Sequence, residues 1–352
     1  MISTTGSATT RRAHPKESSV PGPRPLNIGQ IGAGRIGSSH AELLVPGVRL
    51  VAVADPAAEV AARLAEELGV PAAYTDPGRV VADDQVEAIV ITAQAPFHAG
   101  LVEQAAAAGK AVFCEKPAGL TMGEIDRVQE AVQAHGVVFQ VGFDRRFADG
   151  FPEARRAVGS GRIGRPRLLR SVTRDPGPAD PTAVAPWTIF LDTLIHDFDI
   201  LNFLNPGARA VQVHAVASHV APDVEDAGLL DTAVVTVRFD NGAIATAEAG
   251  CSAAYGYDTR AEVFGTGGMV TVGRLEASSM RCYGPEGLTA DTVRHETRSM
   301  RGAYSAELQV FADAARGGPV EGPGVADARQ ALRIALACVE SCRTGGPVEP
   351  AP

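Results

Sequence analysis

Between Leu26 and Val141, short apolar runs alternate with amphipathic stretches, and this alternation restricts what the chain can become more than any other feature. Leu26–Ile31, Leu50–Ala54, Val70–Tyr74, Ala88–Thr92, Ala111–Cys114 and Val137–Val141 read as strands, most of them with few polar residues. The stretches Arg35–Leu44, Ala57–Leu68, Asp76–Ala82, Phe97–Ala108 and Thr121–His135 read as helices. In Ala57–Leu68 the apolar positions recur at about 3.6 residues. Thr121 is placed to cap the last of these helices, with Glu124 three positions on, as a capping box requires. Apolar strands separated by such helices form a parallel sheet covered on both faces, and its ligands bind beyond the carboxyl ends of the strands.

The first strand runs into Gly32-Ala33-Gly34-Arg35-Ile36-Gly37, a G-x-G-x-x-G pattern. Glycine is common here (38 residues), so the pattern gains weight only from lying between a strand and a helix. There Gly32 permits the tight turn, Gly34 lets backbone approach a pyrophosphate, and Gly37 lets helix and strand pack closely. The helix amides and dipole favour the pyrophosphate charge. Asp55, ending the second strand, can accept from the ribose hydroxyls of an adenosine and would repel a 2′-phosphate, which favours NAD over NADP. The same residues also fit a non-binding turn, with Asp55 capping the next helix ahead of Pro56. Thr92 to His98 follows a later strand and is expected to line the nicotinamide end, although His98 also fits an uninvolved first-turn position.

Lys116, in Glu115-Lys116-Pro117, ends a buried strand, where an ammonium is costly unless it is paired or functional. It can hold a hydroxyl or stabilise an alkoxide; it also fits a surface lysine at a turn. Pro117 restricts the preceding backbone, and a cis bond would aim the side chain. Trp187 to Leu204 reads as one helix in which Asp192 and His196, four apart, share a face. His196 suits a general base for alcohol oxidation, with Asp192 orienting the ring or binding a neighbouring hydroxyl. A hydrogen-bonded pair inside a packing surface explains them equally well. A third ligand at supporting spacing is missing, so no metal is expected.

Taken together, these residues resemble the Gfo/Idh/MocA oxidoreductase family, most of all its inositol 2-dehydrogenase branch, over roughly residues 26–348. The likeness rests on the glycine turn, on Glu115-Lys116-Pro117 and on the Asp192 to His196 spacing within Phe190 to Asp199. It implies Lys116, Asp192 and His196 as catalytic residues. It also implies a cofactor site of Gly32, Gly34, Arg35, Ile36, Gly37, Asp55, Thr92, His98, Glu115 and Lys116. Substrate contacts would come from Lys116, Asp192, His196, Tyr255 and Tyr257. The expected activity is NAD-dependent oxidation of a secondary hydroxyl of a cyclic polyol or sugar. The alternatives are another sugar or amino-cyclitol, or a non-enzymatic NAD-dependent regulator of the same fold. Family members often carry Asn where this chain has Asp144, and glycines where it has Ala185-Pro186-Trp187.

The second half changes character. Leu168–Thr173, Val211–Val220, Asp231–Phe239, Ala243–Ala249, Arg260–Gly265, Met269–Arg274 and Arg281–Tyr283 read as strands, with Asp240-Asn241-Gly242 as a hairpin turn. The expected fold is therefore α/β: an N-terminal Rossmann-type dinucleotide-binding domain, then an α+β domain on an open, mainly antiparallel sheet. The expected divisions are a disordered leader at 1–25, a cofactor domain at 26–145, a substrate and oligomerisation domain at 146–325, a helix returning to the first domain at 326–344, and a loose tail at 345–352. The family likeness implies a homo-oligomer, commonly a tetramer, packed through the second sheet. A net charge of -9 without dense basic patches argues against nucleic acid. No apolar run approaches the roughly 18 residues of a membrane span. Five widely spaced cysteines argue against a disulfide framework and fit a reducing cytoplasm.

Overall fold

The computed structural model describes residues 24–177, 184–219, 230–285, 287–294 and 300–351. The expected leader lies almost wholly outside the described residues. Six strands form the first sheet: β1 (Leu26–Ile31), β2 (Val48–Ala54), β3 (Ala72–Tyr74), β4 (Ala88–Ile91), β5 (Ala111–Glu115) and β6 (Phe139–Gly142). Their order is β3-β2-β1-β4-β5-β6, and every pairing is parallel. The connecting helices are α1 (Arg35–Glu42), α2 (Ala58–Leu68), α3 (Pro77–Val81), α4 (His98–Ala107) and α5 (Met122–His135). Thr121 caps α5 through the Glu124 N–H, and the Glu124 carboxylate returns to the Thr121 N–H, completing the box. The strand order reverses between β1 and β4, which opens a crevice at their carboxyl ends.

The chain crosses over through α6 (Phe151–Gly159) into a second sheet of β7 (Pro166–Arg174), β8 (Ala210–Ser218), β9 (Thr232–Phe239), β10 (Ile244–Gly250), β11 (Asp258–Gly265) and β12 (Met269–Val272). Its order is β12-β11-β7-β10-β9-β8; β7 and β10 run parallel and the other pairs antiparallel. The Asp240 to Gly242 turn joins β9 to β10, with Gly242 at positive φ (85°). Strands β13 (Cys282–Gly284) and β14 (Gly287–Thr289) form a small exposed ribbon. One face of the second sheet is covered by α7 (Ile195–Phe203) and, against β8, by α9 (Val325–Thr344).

Three expectations about the second half need correction. First, Trp187 to Leu204 is not one α-helix. Ile189–Thr193 is a π-turn, with the Leu194 N–H on the Ile189 carbonyl (2.9 Å), and α7 follows it. Apolar spacing continues through the turn, so sequence periodicity does not reveal the extra residue. Second, α8 (Arg301–Ala315) packs with the first sheet although it falls within 146–325: Leu308, Phe311 and Ala312 share a core with Leu26, Ile28, Val53 and Phe113. Third, the tail is pinned through residue 351. Val348 bridges Val213 on β8, and the Arg333 guanidinium donates to the carbonyls of Pro350 and Ala351.

Candidate active site

The glycine turn is shaped by close contacts. Gly32 has φ 101°, and a Cβ there would stand 2.6 Å from the Thr92 backbone. A Cβ on Gly37 would stand 2.3 Å from the Gly32 carbonyl oxygen. At Gly34 no atom lies within 4 Å of the Cβ position, so the N-terminus of α1 presents bare backbone to open space. That arrangement fits a pyrophosphate. Buried Gln30 donates from Nε2 to the Gly32 and Gly37 carbonyls (both 2.8 Å), and the Thr92 hydroxyl donates to the Gly32 carbonyl (2.8 Å). Asp55 accepts from the Ala33 N–H (2.9 Å) and the Ala57 N–H (3.0 Å), which fixes its carboxylate at the turn while leaving it partly exposed. Both roles foreseen for Asp55, cap and ribose acceptor, are open to it in this position.

A cleft of about 640 Å³ lies beside this turn, lined from the first sheet by Arg35, Ile36, Thr92, His98, Glu115 and Lys116. From the second half come Asp192, Thr193, His196, Tyr257 and Thr259, with Asp144 and Arg145 between. The Lys116–Pro117 bond is cis. Lys116 Nζ donates to Asp192 Oδ1 (2.6 Å) and to the Asp192 carbonyl (3.2 Å). The Lys116 ammonium holds the Asp192 carboxyl below the usual carboxylate range. His196 opens the first turns of α7. Burial, then the Lys116 and Arg145 cations, hold its imidazole well below the ordinary histidine range, so the ring is neutral near pH 7. Its carboxylate neighbour is Asp144, with Nδ1 3.3 Å from Asp144 Oδ1. Asp192 in the π-turn thus pairs with Lys116, and His196 lies against Asp144.

Behind Lys116 lies a buried set of titratable groups. His40 Nε2 on α1 donates to Glu115 Oε1 (2.7 Å), and Glu115 Oε2 accepts from the Lys116 N–H (3.1 Å). Burial pushes the Glu115 carboxyl up, but His40 and Lys116 outweigh it and hold the group below its usual range. Glu307 on α8 completes a group of metal-capable donors within 4.8 Å of one another. Burial, with the Asp144 and Glu115 charges, pushes the Glu307 carboxyl well above the carboxylate range. A second buried set fixes Arg145: its Nη1 donates to Thr173 Oγ1 (2.7 Å) and Asp197 Oδ2 (3.1 Å).

One expected residue, Tyr255, takes another place. Tyr255 is 42% exposed, its hydroxyl donates to Asp258 Oδ2 (3.1 Å), and it borders a separate hollow with Arg174 and Thr232. Both His98 ring nitrogens face backbone carbonyls, Pro117 and Ala93 (2.8 Å each), so the ring braces the lysine turn while it lines the cleft. Trp187 stacks on Phe190 (6.4 Å) beneath the Arg343 guanidinium (5.4 Å), outside the cleft lining. Sequence reasoning missed Gln30, His40, Arg145 and the pairing of Asp144. Only the Asp-for-Asn departure at Asp144 hinted at any of them.

Residues 26–143 match an oxidoreductase family with an NAD-binding Rossmann fold, and residues 151–271 match the Gfo/Idh/MocA C-terminal domain. Fold and cleft therefore define an NAD-dependent oxidoreductase built on two sheets. The chain belongs to the Gfo/Idh/MocA family. It is 35% identical over 328 residues to the scyllo-inositol 2-dehydrogenase (NAD(+)) of Bacillus subtilis, covering 91% of this chain and 94% of that protein. It is 34% identical over 321 residues to the myo-inositol 2-dehydrogenase of Thermotoga maritima, covering 90% and 96%. The solved structure of scyllo-inositol dehydrogenase from Lactobacillus casei with bound NAD(H) and scyllo-inositol is similar at a TM-score of 0.89 and 29% identity, covering 94% of this chain and 100% of that one.

Proposed function

We propose that the protein oxidises one secondary hydroxyl of an inositol-like cyclic polyol to the ketone, with NAD as cofactor. The observation that carries this reading is the meeting of Lys116, Asp192 and His196 in one cleft beside the glycine turn. The named activities of the relatives support it. When bound, NAD supplies the hydride acceptor. Gly32, Gly34, Arg35, Ile36 and Gly37 would hold its pyrophosphate and Asp55 its adenosine ribose, with Thr92 and Glu115 nearer the nicotinamide. Neutral His196 takes the hydroxyl proton. Lys116 donates to the reacting oxygen and stabilises the negative charge that grows there as the proton leaves. Asp192 keeps the ammonium aimed and accepts from a neighbouring hydroxyl, and Tyr257 borders the ring. Donors fixed in advance in an enclosed site act more strongly than in water.

The same reading divides the chain into a cofactor unit at 26–145 and a substrate and assembly unit from 146, with α8 and α9 returning to the first. It makes the protein a cytoplasmic homo-oligomer, commonly of four copies. The support for assembly is apolar: Ile244, Leu168, Phe264 and Met269 lie opposite one another across β10, β7, β11 and β12, each about half exposed.

The test is NADH formation, followed by its near-ultraviolet absorbance, against inositols, pyranoses and amino-cyclitols, with NAD⁺ and NADP⁺ in parallel. Turnover of an inositol with NAD⁺ is expected. Turnover of only a pyranose or amino-cyclitol would move the substrate assignment. Silence on every member would remove the enzymatic reading.

A further inference from the structure

We propose that Asp144 is a positioning residue for His196, fixing which ring nitrogen faces the substrate. This deepens the preceding reading and rests on His196 being the base. Asp144 is 3% exposed and His196 8%, and Asp144 Oδ1 lies 3.3 Å from Nδ1. Nδ1 is buried and makes no hydrogen bond among the described residues, so its approach to Asp144 is a close charge-to-ring contact and not a formed hydrogen bond. A carboxylate there favours the tautomer with the proton on Nδ1, which leaves Nε2, on the opposite side of the ring, as the basic nitrogen. Phe143 adds an edge-on contact to the imidazole (6.3 Å between centroids), so the ring is held from the same segment on two sides.

The charges around the ring are consistent with that role. Lys116 comes from the turn after β5, Arg145 and Asp144 from the segment after β6, Asp192 from the π-turn, and Glu307 from α8 behind Asp144. Of the two buried carboxyls, Asp144 is the one set against Nδ1, while burial and the Asp144 and Glu115 charges push the Glu307 carboxyl well above its ordinary range. Lys116 and Arg145 both disfavour the imidazolium that forms when the substrate proton arrives; Asp144 is the carboxyl placed against Nδ1, where a negative charge would offset them. An Asn at this position presents no net charge to the ring, so this chain has a stronger proton acceptor than an Asn-bearing relative would.

The experiment compares Asp144→Asn with the parent enzyme over a pH series, using the polyol that the panel identifies. The expected result is a fall in plateau kcat/KM for the polyol of about 10- to 100-fold, below the roughly 10²–10⁴ that the positioned base itself contributes. The acid limb should also move to lower pH, since losing the carboxylate disfavours the imidazolium, while NAD⁺ affinity stays unchanged. An unmoved acid limb with a change under about twofold overturns the proposal. So does a loss of stability and of NAD⁺ affinity together without an acid-limb shift, because a purely structural role predicts that pattern. Should the variant fail to fold, ¹⁵N chemical shifts of His196 in the parent decide: a proton on Nδ1 supports the proposal and a proton on Nε2 sinks it. His196→Ala separates the two readings. If that variant stays active the base assignment fails, whereas an inactive His196→Ala beside a normal Asp144→Asn rejects only the role of Asp144.

Discussion

At Lys116 the ammonium has a charged partner in place before any substrate arrives, 2.6 Å away on Asp192. Under the proposed mechanism, its replacement by Ala removes the donor to the reacting oxygen, together with the cation that lowers the Asp192 carboxyl. We expect Lys116→Ala to lower kcat by about 10²–10⁴-fold, the range for a positioned proton-handling group. NAD⁺ binding, measured by fluorescence titration, should persist; loss of binding with kcat unchanged would reassign Lys116 to the cofactor. With His196 as the proposed base, the pH dependence follows from its imidazole. Its pKa is depressed, so the neutral, proton-accepting form persists below the usual histidine range, and oxidation should decline only as pH falls through that lowered value. A decline beginning near pH 7 would contradict the burial that lowers it. Lys116 was legible in the sequence because a lysine ending an apolar strand is out of place there. Asp144 was not, because its meaning is a distance to a side chain on a separate element, and no local pattern encodes that distance.

Among elements, the turn between β1 and α1 is the most tightly specified. Gly37→Ala would put a methyl 2.3 Å from the Gly32 carbonyl oxygen, inside a turn already tied by Gln30 and Thr92. We expect a stability loss of about 1–3 kcal/mol, the usual cost of overpacking, together with much weaker NAD⁺ binding. Thermal denaturation with and without NAD⁺ measures both, and a variant that retains its ligand-induced stabilisation would refute the expectation. The strands of the first sheet were readable because both faces are covered, which gives continuous apolar runs. The alternation Thr232 to Phe239 was readable for the opposite reason, since one face is buried and the other is not. The π-turn was unreadable. Its apolar residues satisfy helical spacing on either side, and its distinguishing features are the one widened hydrogen bond and Trp187 at φ 67° just before it. In L-residues the left-handed region costs roughly 1–2 kcal/mol, offset here by the stacking on Phe190 and Arg343.

Across the whole molecule, the outer face of the second sheet divides into two kinds of surface. Ile244, Leu168, Phe264 and Met269 make an apolar band, while Arg170, Glu248, Arg260 and Asp258 make ion pairs beyond it. Phe264→Glu should convert an assembled protein into smaller species by light scattering, with the monomer's fold intact by circular dichroism. A parent that is already monomeric at micromolar concentration would refute an interface there. The two-layer plan was legible from composition and pattern, but the membership of α8 was not: its apolar residues announce only that the helix is buried, and which sheet it covers is decided by the return path of the chain.

That return path has a consequence for how the protein is made. The core beneath β1, β2 and β5 is closed by Leu308, Phe311 and Ala312, with Phe311 edge-on to Phe113 (5.8 Å). On the ribosome, the first sheet therefore emerges with one flank uncovered and waits for nearly the whole chain before its own interior is sealed. N-terminal units ordinarily fold as they appear; here the half built to grip a nucleotide is among the last parts of the newborn chain to become watertight.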